Sequence, residues 1–450
     1  TIVDPAEALN YGYTSLPSPQ YNFTPGDTLT FVISQTAPFV TGSTPIINIG
    51  GLRVKVTTTF GSTAGDTATI ETFKGDANEP NVGEYYYVSY TVAKTANDMA
   101  LKLYTNPAVA YAVYGQPNVV NRVSLAVQLL TGNGAQQFGV IQVPQQPGQN
   151  VASDSSYEAA IQSLSKALPG TTQKVNVICP LSTSTAVGQY LSRFLITQAA
   201  PRQKGEAIGF VGMGLYSTPQ DASAYANALS NSRMILVAPF AFGIQITNPT
   251  TGVALEYAVS GEFVAAAMAG LNCNPANDVA TSLTNQNIVG FSRILQTLDD
   301  PTMNLMASNG VTLVVDQDGG LLIRHYKSTD PSNIITSEPT CTTITDFVSQ
   351  AFRSDLKQFI GRKLIGSILG SIQVVCNGRL KSLVDAQLIQ GYSAPQVVTD
   401  PTDPTTVDIT VTFQPVFALL YIGVTFTVTS SSVSSSGSAT GSGQTGTGSV

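Results

Sequence analysis

Charge is what this chain has least of. Asp, Glu, Lys and Arg make up 11% of its 450 residues, where soluble proteins carry about 25%. Apolar content is ordinary at 43%, so Thr, Ser, Gln, Asn and Gly have taken the place of the missing charge. A surface of hydroxyls and amides loses little desolvation energy when a neighbour covers it. That suits a polymer, although a secreted β-rich protein has the same composition. Histidine is nearly absent: His325 stands alone, on a predicted strand among Ile323, Arg324 and Tyr326. One imidazole cannot build a multi-His metal site, and no G-x-S-x-G elbow supplies a serine for it. The four cysteines, Cys179, Cys273, Cys341 and Cys376, are far apart and form no CxxC pair. They fit neither a zinc site nor a short disulfide scaffold, and free buried thiols in a cytosolic product are expected.

Other absences narrow the function further. No run of about 20 apolar residues exists, which excludes a membrane-spanning helix and membrane insertion. The opening Thr1-Ile2-Val3-Asp4 lacks a basic-then-apolar leader, so a cytoplasmic product with its initiator methionine removed is expected. No Walker A lysine motif occurs. Gly212-Met-Gly214 echoes a dinucleotide fingerprint, but Ser217 replaces the third glycine, leaving a plain strand-to-helix turn. Asp316 and Asp318 beside Gly319-Gly320 lack the later bidentate Glu of a calcium loop and read as a tight hairpin. Asp299-Asp300-Pro301 is a turn by composition. No catalytic, cofactor-binding or metal-ligating residue is assigned, and neither enzymatic activity nor a cofactor is expected.

Net charge is −7, against direct nucleic-acid binding, where a basic face supplies most of the affinity. The charge is unevenly spread: Cys341 to Gln390 carries +3 and the rest of the chain −10. The basic residues there include Arg353, Lys357, Arg362 and Lys363. They mark one surface that could face an acidic partner, or a solvated helix face.

What the chain does have is strands and helices in a readable order, predicting an α/β and α+β multidomain protein. Residues 1–26 hold four prolines among small and polar residues and read as an extended N-terminal arm. Residues 27–120 form a β-rich outer domain whose strongest strand is Tyr85–Val92, aromatic and β-branched. Within 121–335, helix and strand alternate: Leu125–Leu130, Phe138–Val143, Ser156–Leu168, Val175–Cys179, Thr185–Gln198, Glu206–Val211, Asp221–Leu229, Arg233–Ala238 and Gly261–Leu271. A hairpin, Gly310–Val315 with Leu321–Tyr326, ends the block. Such βα alternation predicts a largely parallel sheet covered by helices. Residues 336–428 begin with two helices joined near Gly361-Arg-Lys363 and end in two alternating runs, Val407–Phe413 and Leu420–Val428. In the second run Leu420, Ile422, Val424, Phe426 and Val428 line one face, the pattern of a strand offered to another subunit's sheet. Residues 395–404 suit a hinge-like linker. Residues 429–450 are a Ser/Gly-rich tail without charge, too polar to form a core.

The order of these segments resembles the contractile tail sheath proteins of bacteriophages and related contractile injection systems, over roughly Asn121 to Val428. The motifs that carry the resemblance are the turn Thr131-Gly-Asn-Gly134 before Phe138–Val143, Val175-Asn-Val-Ile-Cys-Pro180, Arg233-Met-Ile-Leu-Val-Ala-Pro-Phe240, the small-residue helix Val264–Gly270, and the stretch Gly310 to Thr329. Phe359-Ile-Gly-Arg-Lys363, Gly391-Tyr392 and two strands split by Pro415 complete it. The resemblance implies a structural subunit that polymerises helically, in stacked hexameric rings around a tail tube, and contracts to drive the tube through a host envelope for genome delivery. It implies an inner block, 336–428, that faces the tube through Arg353, Lys357, Arg362 and Lys363 and whose terminal strands are completed by neighbours' arms. Implied partners are other copies of the chain, the tube, the baseplate and the tail terminator; the implied location is a virion tail assembled in the host cytoplasm. A non-contractile virion or surface-layer protein is the alternative.

Overall fold

The computed structural model describes residues 100–119, 121–143, 152–166, 175–200, 203–247, 254–317 and 319–419, and the backbone of nine further strands. Seven of those nine come first in the chain: Ile2–Pro5 (β1), Leu9–Ser15 (β2), Thr28–Val32 (β3), Ile46–Asn48 (β4), Val54–Val56 (β5), Thr67–Thr72 (β6) and Tyr85–Thr91 (β7). β7 sits between β2 and β4, and β6 between β3 and β5, giving two antiparallel three-stranded sheets. Residues 1–26 were expected as an arm. Here they give β2 to a sheet of the same chain and β1 to the central sheet.

The central block opens with Lys102–Tyr104 (β8), Pro107–Tyr114 (α1), Arg122–Gly132 (α2) and Phe138–Val143 (β9). Helix α1 lies within the stretch expected to be β-rich. Its sequence PAVAYAVY is apolar throughout and shows no amphipathic period. What sets it is its start: Asn106 Oδ1 accepts from the Ala108 N–H, and proline occupies the first turn. Then follow Asp154–Ser163 (α3), Val177–Pro180 (β10), Thr185–Gln198 (α4), Ile208–Val211 (β11), Pro219–Leu229 (α5), Met234–Ala238 (β12), the hairpin Phe242–Thr247 (β13) and Ala254–Val259 (β14), and Gly261–Asn272 (α6). Asn287–Ile288 (β15), Arg293–Ile294 (β16), Asp300–Ser308 (α7), Val311–Gln317 (β17) and Gly320–His325 (β18) finish the block. The turn expected at Asp299-Asp300-Pro301 is instead the start of α7, with Asp299 as N-cap and proline in the first turn. Acid-then-proline chemistry serves both uses.

Nine strands make the main sheet, in the order β15-β18-β17-β12-β11-β10-β1-β9-β8. The pairs from β9 through β1, β10, β11 and β12 to β17 are parallel, and the flanking strands are antiparallel. β9 and β10 each pair with β1, Ile2 facing Val140 on one side and Cys179 on the other. Side chains alternate between two cores. Val140, Cys179, Phe210 and Val237 point to the face covered by α1, α2 and α6. Ile141, Ile178, Val211 and Leu236 point to the face covered by α3, α4, α5 and α7. Burial on both faces is why these strands read as continuous apolar runs.

Gly212 closes the β11 end so tightly that a Cβ there would lie 2.0 Å from the Gly261 carbonyl carbon. Backbone packing therefore explains that glycine. One buried charge lies beside it: Glu262, in the first turn of α6, is 1% exposed. Its Oε1 accepts from Ser260 Oγ at 2.6 Å and from Arg122 Nη2 at 3.1 Å, and the same nitrogen donates to the Leu181 carbonyl at 2.9 Å.

The C-terminal block holds Ile334–Ser337 (α8), Pro339–Leu356 (α9) and Gly366–Asp385 (α10). A small core of Ile344, Val348, Leu380, Leu383 and Ile389 joins α9 to α10. Six short strands follow: Ile389–Tyr392 (β19), Gln396–Thr399 (β20), Val407–Thr410 (β21), Phe413–Pro415 (β22), Gly423–Val428 (β23) and Gln444–Ser449 (β24). They pair as three separate two-stranded ribbons, β19–β22, β20–β21 and β23–β24. The hinge expected at 395–404 is not an extended linker. β20 occupies its first half, and Asp400 Oδ1 then accepts from the Thr402 N–H and hydroxyl at 2.7 Å, while the Asp400 N–H donates to the Thr406 carbonyl at 3.0 Å. Aspartate beside proline makes side-chain turns that close a hairpin.

Candidate assembly surfaces

The four basic residues singled out in the sequence fall into two environments. Lys357, Arg362 and Lys363 are exposed on the connection between α9 and α10, where Gly361 has a φ of 86° that favours glycine. Arg362 lies over the Phe359 ring at 5.6 Å. Ile360, 80% exposed, stands beside them, so the loop presents three cations around an apolar tip. Arg353 points the other way. Its guanidinium pairs with Glu206 of the central block, whose side chain is 4% exposed.

Asp355 and Arg379 tie the two helices behind this loop through hydrogen bonds of 2.6 and 2.7 Å. The Arg379 guanidinium holds the Asp355 carboxyl below its ordinary range. A depressed carboxyl pKa stabilises fully above the ordinary aspartate value of about 3.9 and is lost as pH falls through the folded value. Asp355→Asn is therefore expected to cost about 1 kcal/mol at neutral pH for a partly exposed pair. Thermal melts across a pH series should show that cost shrinking below about pH 4.

Of the five strand candidates, Leu420 and Ile422 lie outside the described residues. Val424, Phe426 and Val428 fall in β23, opposite Gly448, Gly446 and Gln444 of β24. The Ser/Gly-rich tail, too polar to form a core of its own, thus supplies a partner strand for β23 from the same chain. A lone two-stranded ribbon is marginally stable in water, and both outer edges of this one carry no strand in the described chain.

The joint between the two blocks was not foreseen. α9 runs past the N-terminal ends of the parallel strands, and three ion pairs cross to it. Glu338, its N-cap residue, approaches Lys327 at 3.8 Å; Asp346 takes both arms of Arg233 at 2.6 and 2.7 Å; Arg353 meets Glu206. All three carboxylates are nearly removed from water, with residue exposures of 1%, 8% and 4% for Glu338, Asp346 and Glu206. Burial raises the Glu338 pKa, opposed by Lys327. The available signal was an acid, an acid and a base spaced eight and seven residues apart on one helix of a charge-poor chain, close to whole helical turns.

The remaining candidates sit as follows. His325 ends β18, half buried, its pKa lowered by burial and by Arg324 and Lys327. Asp316 is exposed near the end of β17, and Asp318 lies outside the described residues. Cys179, Cys341 and Cys376 are buried, whereas Cys273 is exposed. Among the described residues, no group of three or more His, Cys, Asp or Glu is placed to hold a metal ion. No helix among them is long and apolar enough to cross a membrane.

No protein-family model matches the chain, and no curated protein matches it in sequence. Solved structures do match. A chain of the anti-feeding prophage baseplate superposes with a TM-score of 0.56 at 12% identity, covering 74% of this chain and 89% of that one. The contracted sheath complex of PVC, an extracellular contractile injection system, gives 0.55 at 11% identity with the same coverage. The contracted helical sheath of the anti-feeding prophage gives 0.53 at 12%, again covering 74% and 89%. At such low identity the likeness is one of fold, and it spans nearly the whole of each matched chain. The chain has a contractile tail sheath fold.

Proposed function

We propose that this chain is a structural subunit of a contractile tail sheath. It polymerises helically around an inner tail tube and contracts to drive that tube through a host envelope. The observation that carries this reading is the fold shared with two contracted sheaths, across 74% of this chain and 89% of theirs. In this role other copies, the tube, the baseplate and a tail terminator are its partners, and a virion tail or tail-like particle is its location. The inner block, 336–428, faces the tube. Lys357, Arg362 and Lys363 dock on acidic tube residues, while Arg353, already paired with Glu206, orients α9. Neighbouring subunits complete the open two-stranded ribbons of the C-terminal block by β-augmentation.

The driving force for contraction lies in the difference between two packings of the same subunit, with no nucleotide involved. At about 25 cal/mol per Å² of apolar area, roughly 200 Å² of extra burial per subunit gives about 5 kcal/mol, multiplied along the tail. Few ions need desolvation when charge-poor faces meet.

Electron microscopy of the purified full chain tests the reading. Helical tubes or stacked rings are expected, formed without ATP; flat lattices or persistently monodisperse particles would overturn it. Assembly on a cognate tube is expected to weaken with salt and with Lys357→Glu, Arg362→Glu and Lys363→Glu combined. Each exposed contact contributes only about 0–1 kcal/mol, so the triple change should be needed for a clear loss. Indifference to both salt and charge reversal would remove the loop from the tube contact.

A further inference from the structure

The polarity of the three pairs across the joint is not uniform. Along α9 the charges run minus at Glu338, minus at Asp346 and plus at Arg353; the central block answers with Lys327, Arg233 and Glu206. Lys327 follows β18, Arg233 immediately precedes β12, and Glu206 lies just before β11, so the partners are laid out in sheet order along the helix. A slip of α9 by one contact in one direction would set Arg353 against Arg233. The opposite slip would set Asp346 against Glu206. Either puts like charges together where water is excluded, which costs several times what it would at the surface. We propose that this reversal at the third pair is a register key: it admits one docking position of α9 on the sheet, so that the inner and central blocks turn as a single body and residues 326–338 do not act as a hinge.

The connecting segment is built accordingly. Ser328 and Thr329 are fully buried. The Ser328 N–H donates to the Ser337 carbonyl at 2.9 Å, the Thr329 N–H donates to the Met234 carbonyl at 2.9 Å, and the Thr329 hydroxyl donates to the Asn231 carbonyl at 3.1 Å. At Gly310 a Cβ would lie 2.6 Å from the Ser328 carbonyl oxygen, so the segment is also held sterically. Thr343 Oγ1 donates to the Val279 carbonyl at 2.7 Å, fixing α9 from a third side. Hinges are formed by residues that can absorb a large backbone rotation, and these are tied down at successive positions.

The key is a property of the single chain, and its test needs no assembled particle. Hydrogen exchange of the 339–356 amides is followed in the full-length protein for Arg353→Glu, Glu206→Arg, the double exchange E206R/R353E, and the neutral Arg353→Gln. Each single reversal is expected to lower protection of α9 by about tenfold or more, and Arg353→Gln to lose clearly less than Arg353→Glu; the double restores the third pair but leaves all three pairs with one polarity, so its protection should exceed that of either single and still fall short of the parent by more than about threefold. Should Glu206→Arg alone fail to fold, the double variant still decides: α9 protection between that of Arg353→Glu and that of the parent upholds the key, and fully parent-like protection there overturns it. Equal losses in Arg353→Gln and Arg353→Glu, parent-like protection in the single reversals, or a double no better than Arg353→Glu would equally overturn it.

Discussion

Leucine in place of Gly270 is expected to cost the central block about 3 kcal/mol or more. Gly270 lies on α6 where that helix crosses α2, and a Cβ there would sit 2.2 Å from the Leu130 carbonyl oxygen and 2.8 Å from its carbonyl carbon and Cα. The obstacle is backbone, so no rotamer change relieves it, and the helices must separate. Separation would open the core that holds Leu125, Leu129, Val264 and Met268. Gly370 supplies the contrast. It stands within α10, and a Cβ added there would meet nothing within 4 Å, so Gly370→Ala should leave stability unchanged or raise it by about 0.5–1 kcal/mol. Urea midpoints followed by far-UV circular dichroism separate the two. A Gly270→Leu protein within about 0.5 kcal/mol of the parent would mean that α2 and α6 do not meet at this crossing.

Arg122→Met is expected to be nearly as damaging, for an electrostatic reason. It removes the cation facing Glu262, and breaking a buried pair from one side typically costs about 3–5 kcal/mol because the other charge stays behind in low dielectric. The Ser260 hydroxyl and the N-terminal end of α6 offset part of that loss. The double variant R122M/E262Q should then be more stable than R122M alone, recovering more than half of the loss, since the charge has gone with its partner. If the double were no better than the single, Arg122 would be acting through its packing over Phe263, whose ring centroid lies 5.6 Å from the guanidinium.

How much of this was legible in the sequence depends on how each element announces itself. α4 was readable to the residue, because Ser184 and Gln198 bound a clear apolar period. α5 was read from Asp221, whereas it begins at Pro219 behind a capping box formed by Thr218 and Asp221. α1 was missed because a helix apolar on every side has no period. The run Val407–Phe413 reads as one strand yet serves two, β21 pairing with β20 and β22 with β19. Alternation reports which face a residue takes, and says nothing about which strand lies beside it. The same limit hid the joint. Glu206, Arg233 and Lys327 are scattered charges in the sequence, and only the sheet order lines them up beside α9. Arg353 looked like its basic neighbours Lys357, Arg362 and Lys363, and the fold separates it from them by giving it a partner.

The place of β1 has a consequence in time. A ribosome adds about 5–20 residues per second, so residues 2–5 wait roughly 10–35 s before β10, which ends at Pro180, has been made. Until then the strand has only one of its two neighbours, and β9 has to keep a place open on its inner side. Contacts so distant along the chain form slowly. Of the strands in the main sheet, the one synthesised first is sealed in only when the fourth, β10, has been made. A nascent chain paused before Pro180 should therefore remain open to protease near its beginning, and resistance there should appear only after β10 has emerged.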